Sequence, residues 1–244
     1  MIKTIFDNIV ETLELDVNRK MSPLFLILSI LSVASLLISN VVATKSIILF
    51  GWEINGLKLS IAASFIVFPF TYIISDIFSE VYGYAWSRKI SWISFFTNLF
   101  MVFIFTIVIA LPGIDPEFSV KFADVLGSSF GVLFASLTAY MCGDLFNDII
   151  FNKMKVRDSR GTNIMFAFRS IVSSLCGEII DSMVFLPLLY LFIGGFGPII
   201  QSKYQLLAII LIQGVAKTSV EVVLCPIVVK IVNRIKDYED KIAD

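Results

Sequence analysis

Residues 23–44 read PLFLILSILSVASLLISNVVAT, and residues 90–111 read ISWISFFTNLFMVFIFTIVIAL; neither stretch contains an Asp, Glu, Lys or Arg. Each exceeds the roughly 20 residues that a helix needs to span a bilayer. The 244-residue chain is 57% hydrophobic, above the roughly 45–50% of soluble domains, and its mean hydropathy is +0.90. These values predict an all-α integral membrane protein. Working outward from the two charge-free runs places six spanning segments, at roughly 23–44, 59–80, 88–111, 126–150, 163–193 and 204–233.

Local signals refine the frame. Ser22-Pro23 is a helix-start signal for the first segment. Asn55-Gly56 sits between apolar runs, the strongest short-range hairpin signal, and predicts a short β-hairpin between helices one and two. The fifth and sixth segments are longer than a straight span requires. They either tilt or break, near Gly177 or Pro187 in one and Pro226 in the other. Residues 1–22 carry Ile2, Phe6, Ile9 and Leu13 at helical spacing among acidic residues, and read as an N-terminal cytoplasmic amphipathic segment. Residues 23–233 read as one six-helix membrane domain, and 234–244 as a cytoplasmic tail. Thirteen lysines and arginines fall on one side of this arrangement. Four (Lys45, Lys58, Lys121, Lys203) fall on the other, and Arg169 and Lys217 lie within it. That asymmetry puts both termini in the cytoplasm.

The apolar segments hold charges that should not be there without a reason. An ionisable group near the bilayer centre costs roughly 2.5–3.5 kcal/mol on insertion scales, so such groups pair or serve a pathway. Tyr72, Asp76 and Glu80 are four residues apart and share a helix face; Tyr140, Asp144 and Asp148 repeat the spacing. Glu80 and Asp148 lie near segment ends, where solvation is as ready an explanation. Gln213, Lys217 and Glu221 form one stripe, in which Lys217 and Glu221 either pair along the helix or face a ligand. Glu178 and Asp181 are adjacent on the fifth segment. Arg169 points away from Glu178 on an ideal helix, so the two serve different neighbours or the helix breaks between them. Seven acids (Asp76, Glu80, Asp144, Asp148, Glu178, Asp181, Glu221) against two bases cannot neutralise themselves. The imbalance calls for a hydrogen-bond-donating or cationic guest. A carboxylate accepts two parallel N–H bonds from a guanine-like edge, and aromatics such as Phe68, Tyr72 and Tyr82 can stack on the ring.

Other chemistries find little support. The chain has no histidine, which removes His metal ligands, a Ser-His-Asp triad and a His proton relay. Cys142, Cys176 and Cys225 lack metal or disulfide spacing and read as packed thiols. No metal and no cofactor is expected, no basic patch suits nucleic acid, and an enzyme is not expected. Cys142-Gly143-Asp144 resembles the Gly-x-Gly-Asp motif of intramembrane aspartyl hydrolases, but Met141 stands where the first glycine belongs.

The run from Phe68 through Asp76 and Glu80 to Gly83, Asn40 with Lys45, Arg169 through Ser173-Ser174, Gly177 through Glu178 to Asp181, and Lys217 with Glu221 and Pro226 together resemble the queuosine precursor transporter family. This family is also called the vitamin uptake transporter family. The resemblance covers nearly all of residues 23–233. It implies import of 7-deazaguanines across the bacterial inner membrane: 7-cyano-7-deazaguanine, its 7-aminomethyl relative, or queuine. It also implies a fold similar to the S-components of energy-coupling-factor transporters. Substrate contacts are then expected from Asn40, Lys45, Phe68, Tyr72, Asp76, Glu80, Asp144, Arg169, Glu178, Asp181, Gln213, Lys217 and Glu221. The alternative is an S-component that needs a separate ATPase, since the chain has no phosphate loop of its own. The lipid bilayer and a small-molecule substrate are the expected partners. Small-residue faces allow a homodimer, and coupling to protons or sodium is left open.

Overall fold

A computed structural model of the chain describes residues 22–54, 57–127, 130–158, 162–193 and 203–243. The N-terminal segment expected to be amphipathic therefore lies outside the described residues, apart from Ser22. Seven α-helices follow one another: α1 (Pro23–Val42), α2 (Phe68–Ile77), α3 (Tyr84–Ala110), α4 (Pro116–Leu126), α5 (Phe130–Arg157), α6 (Asn163–Ile193) and α7 (Lys203–Ala243).

The six-helix count is thus corrected. The additional helix, α4, begins where Asp115 accepts hydrogen bonds from the backbone N–H groups of Glu117 and Phe118 and Pro116 opens the first turn. By length and composition, four segments among the described residues can cross a membrane: Pro23–Val42, Ala63–Tyr82, Tyr84–Ala110 and Asn163–Leu191. The helices α5 and α7 hold charged residues within apolar stretches, Asp144 and Asp148 in one and Lys217 and Glu221 in the other.

The chain starts α1 as its sequence predicts. Ser22 caps it, accepting from Phe25 N at 3.0 Å, with Pro23 in the first turn. Between α1 and α2, β1 (Ser46–Ile54) and β2 (Leu57–Ala62) pair antiparallel. Ser46 faces Ala62 and Ile54 faces Leu57, with a register shift between Ile48 and Glu53. Asn55-Gly56, which carry the turn signal, lie outside the described residues. The expected second span begins too early for this structure. Residues 59–62 belong to β2, Ala63–Ile66 form a 3-10 turn, and α2 begins at Phe68. Pro69 in its first turn explains the late start, because a proline fits there and not in a helix interior.

A π turn, Phe78–Tyr82, ends this helix. Gly83 N donates to Phe78 O at 2.9 Å, and Gly83 adopts φ 92° before the chain enters α3. A side chain would be strained there. No break interrupts α6 or α7: Pro187 and Pro226 sit inside continuous helices. The helix α7 also continues through residues 234–243, the stretch expected as a tail. Glu239 in that last part accepts from Tyr82 Oη at 2.7 Å and is hydrogen-bonded to Ser22, so it ties the helix end to the start of α1.

The helices α5 and α6 pack along one another most closely, and α7 packs on α6. Two glycines permit this. A Cβ at Gly177 would lie 2.8 Å from Tyr72 Cε1 and 2.9 Å from Gly143 O, and one at Gly143 would lie 2.8 Å from Gly177 O. Two apolar clusters flank the middle of the bundle. Leu36, Phe68, Tyr72 and Tyr140 form the smaller. Phe25, Leu28, Ile77, Phe78, Phe151, Phe166, Val228 and Val232 belong to the larger. The outward faces of α1 and α3 are apolar, with Leu26, Ile30, Phe96, Phe100 and Phe103 exposed, as suits contact with lipid.

Because backbone atoms cannot yield as a flexible side chain can, Gly177→Ala and Gly143→Ala should each destabilise the protein by about 1–3 kcal/mol. Gly214→Ala should cost less, since its Cβ would meet only Ile179, with Cγ1 at 3.2 Å. Thermal unfolding of the three variants in one detergent checks the order.

Candidate functional site

Four carboxyl groups and one ammonium converge where α2, α6 and α7 meet. Lys217 Nζ lies 2.7 Å from Glu178 Oε2 and 3.0 Å from Asp181 Oδ2. It also sits 4.2 Å above the Phe68 ring, a cation–π contact. The intrahelical Lys217–Glu221 pair that the spacing allowed does not form, because Lys217 turns to α6 instead. Asp76 accepts from Asn147 Nδ2 at 3.0 Å and from Ser170 Oγ. Asp76 and Glu178 are fully buried, and Glu221 is 2% exposed. Glu178 Oε1, both Glu221 oxygens, Asn147 Oδ1 and the Tyr72 hydroxyl have no hydrogen-bond partner among the described residues. Tyr72 packs against Gly143 and Gly177, with its ring 5.6 Å from that of Phe68.

Two ion networks lie toward the lysine- and arginine-rich end. In the first, Arg88 Nε donates to Asp148 Oδ2 at 2.7 Å, and Arg88 also pairs with Asp144. Ser75, Ser79 and Ser87 donate to Asp148 Oδ1 at 3.1, 3.0 and 3.0 Å. In the second, Glu80 on the π turn pairs with Arg169 at 3.0 Å, Lys236 at 2.6 Å and Lys155 at 3.5 Å. Arg169 also pairs with Asp158, and Lys155 Nζ donates to the carbonyls of Ser79 and Glu80.

This geometry corrects the charge arithmetic. Glu80 has three basic partners, and Asp144 and Asp148 share Arg88. The uncompensated acids reduce to Asp76, Glu178, Asp181 and Glu221 around Lys217. Asp76 and Glu221 make no ion pair among the described residues. Of the expected site residues, Phe68, Tyr72, Asp76, Glu178, Asp181, Lys217 and Glu221 come together. Glu80 and Arg169 belong to the second network, and Asp144 faces Arg88 rather than a second carboxyl. The distance between Arg169 and Glu178 follows from an unbroken α6, on which nine residues place them half a turn out of phase. Asn40 accepts from Ser136 Oγ at 3.2 Å, on the α1 face that also carries Leu36. Lys45 is exposed beyond the end of α1. Gln213 lies within α7, and its side chain lies outside the described residues. Tyr82, expected as a stacking aromatic, is in the larger apolar cluster instead.

Sequence reasoning missed Arg88, Asn147 and Ser170. Arg88 sits at the boundary of the charge-free run and reads as a surface residue. The signal that finds it is the Asp144/Asp148 pair, which needs a cation at that level. Removing one partner of a buried ion pair costs about 3–5 kcal/mol, and an exposed pair costs about 1 kcal/mol or less. Arg88→Ala should therefore lower the melting temperature far more than Lys236→Ala, whose side chain is 41% exposed.

The chain matches the family described as "Putative vitamin uptake transporter" over residues 62–231. No curated protein and no solved structure shows significant similarity to it. The matched stretch runs from the end of β2 into α7 and contains every carboxyl and basic group of the three clusters except Lys236 and the Glu239 tie. On that match, set beside helices apolar enough to cross a membrane, the chain belongs to the vitamin uptake transporter family.

Proposed function

We propose that the protein imports 7-deazaguanine precursors of queuosine, with the Lys217 cluster as the binding site. One observation carries the reading: two buried carboxyls share Lys217, two more, Asp76 and Glu221, are buried nearby without an ion pair among the described residues, and several of these oxygens lack a well-placed donor. Buried carboxylates accumulate this cost only where something returns it. A guanine-like ring offers N–H donors to the acids and a carbonyl to Lys217. Phe68 and Tyr72 supply aromatic surface beside them. An aminomethyl group would meet a second acid.

The site is the meeting point of α2, α6 and α7, and the Arg88 and Glu80 networks lie between it and the basic end of the bundle. In this reading the basic end faces the cytoplasm, both termini lie there, and the membrane is the bacterial inner membrane. A reporter fused at the C-terminus should score as cytoplasmic; an external score would reverse the orientation.

Binding to purified protein tests the substrate class. The 7-deazaguanines should bind, guanine should compete, and riboflavin should not. Riboflavin binding alone would instead support a vitamin-binding S-component, which uptake in cells lacking an ATPase module would distinguish. Glu178→Ala and Asp181→Ala should each abolish uptake while the protein remains in the membrane. Normal uptake by both variants would refute the assignment.

A further inference from the structure

We infer that Glu221 reads the two-donor edge of the guest, and so selects rings bearing both an N1–H and a 2-amino group over rings without the amino group. This inference rests on the function proposed above and assigns one role within its site.

Four carboxyls could take that role, and their existing partners separate them. Glu178 and Asp181 each commit an oxygen to Lys217 Nζ, at 2.7 and 3.0 Å. Asp76 has one oxygen on Asn147 Nδ2 and the other on Ser170 Oγ. Glu221 is 2% exposed, makes no ion pair among the described residues, and has a single hydroxyl, that of Ser174, close to its carboxyl, with neither oxygen held in well-formed hydrogen-bond geometry. A buried carboxylate without donors bears its full desolvation cost. The two oxygens of one carboxylate match two parallel N–H donors, the fork geometry by which arginine binds carboxylates. The N1–H and 2-amino group of a guanine-like ring present the same fork.

The surroundings fit a ring at this carboxyl. Asp76 and Glu178 lie within electrostatic reach of Glu221, and so does Lys217, which is turned away to α6. The Ser174 hydroxyl on α6 lies beside the Glu221 carboxyl, and the Thr218 hydroxyl on α7 is buried and unpartnered among the described residues. Thr218 stands three residues before Glu221, on the same helix face. A two-donor ring held by Glu221 would have these hydroxyls as further polar contacts.

Selectivity measured on the full-length protein in detergent tests the role. The wild type should bind 7-deazaguanine about tenfold or more tightly than 7-deazahypoxanthine, which lacks the 2-amino group. Glu221→Gln keeps the shape but replaces one acceptor by a donor, and it should compress that preference to about twofold or less. Glu178→Gln should retain the preference even where it weakens both ligands. Glu221→Asp, which keeps both acceptors, should retain it too. A wild type that binds both ligands equally would overturn the inference while leaving the proposed function standing. So would a Glu221→Gln variant with an intact tenfold preference. A wild type that binds no 7-deazaguanine would overturn both.

Discussion

One ammonium group shared between two carboxylates organises this protein. Lys217 on α7 reaches Glu178 and Asp181 on α6, and in low dielectric neither helix could present its charge without the other. The pairing is incomplete by design of the sequence. Asp76 and Glu221 add two more buried carboxyl groups nearby, and among the described residues Asp76 is held by the neutral donors of Asn147 and Ser170. A core that needed only cohesion would bury apolar side chains at these positions, since buried ion pairs seldom improve on a hydrophobic replacement. The polar cluster instead has the composition of a site for a small donor-rich molecule.

The rest of the fold serves to hold that cluster. The glycines at 143 and 177 bring α5 and α6 together, with Tyr72 wedged against both. Pro69 and the 3-10 turn delay α2 so that Tyr72 and Asp76 face inward at the level of α6. The π turn and Gly83 then redirect the chain, which places Glu80 and Arg88 in separate networks at one end of the bundle. In these networks every acid has a basic partner, whereas Asp76 and Glu221 beside Lys217 have none among the described residues. That contrast divides structural charge from functional charge within a single set of buried acids.

Much of the fold was legible in the sequence. The span 163–193 is the helix α6, and Ser22-Pro23 starts α1. What failed did so for identifiable reasons. The helix α4 is short and exposed, so it leaves no long apolar run, and only its Asp115-Pro116 start marks it. The second span starts later than its hydropathy predicts, because Leu59 to Phe68 is as apolar as a helix interior yet forms the end of β2 and a 3-10 turn. The site was legible as a set of residues but not as a partition. Tyr72, Asp76 and Glu80 share a face, yet the π turn carries Glu80 to Arg169 and Lys236. Intrahelical spacing pointed Lys217 at Glu221, while the nearer carboxyls came from another helix, which no single-helix pattern reveals.

The central claim is that a small guest with a two-donor edge occupies the polar cluster at Lys217. A structure of the purified protein determined with a 7-deazaguanine is its most direct test. The account predicts ligand density at the junction of α2, α6 and α7, with ring nitrogens within hydrogen-bond distance of the carboxyl groups there and Phe68 or Tyr72 against the ring. Density elsewhere, such as beside Asn40 on α1, with Lys217 still enclosed by Glu178 and Asp181 and no ligand near them, would contradict it.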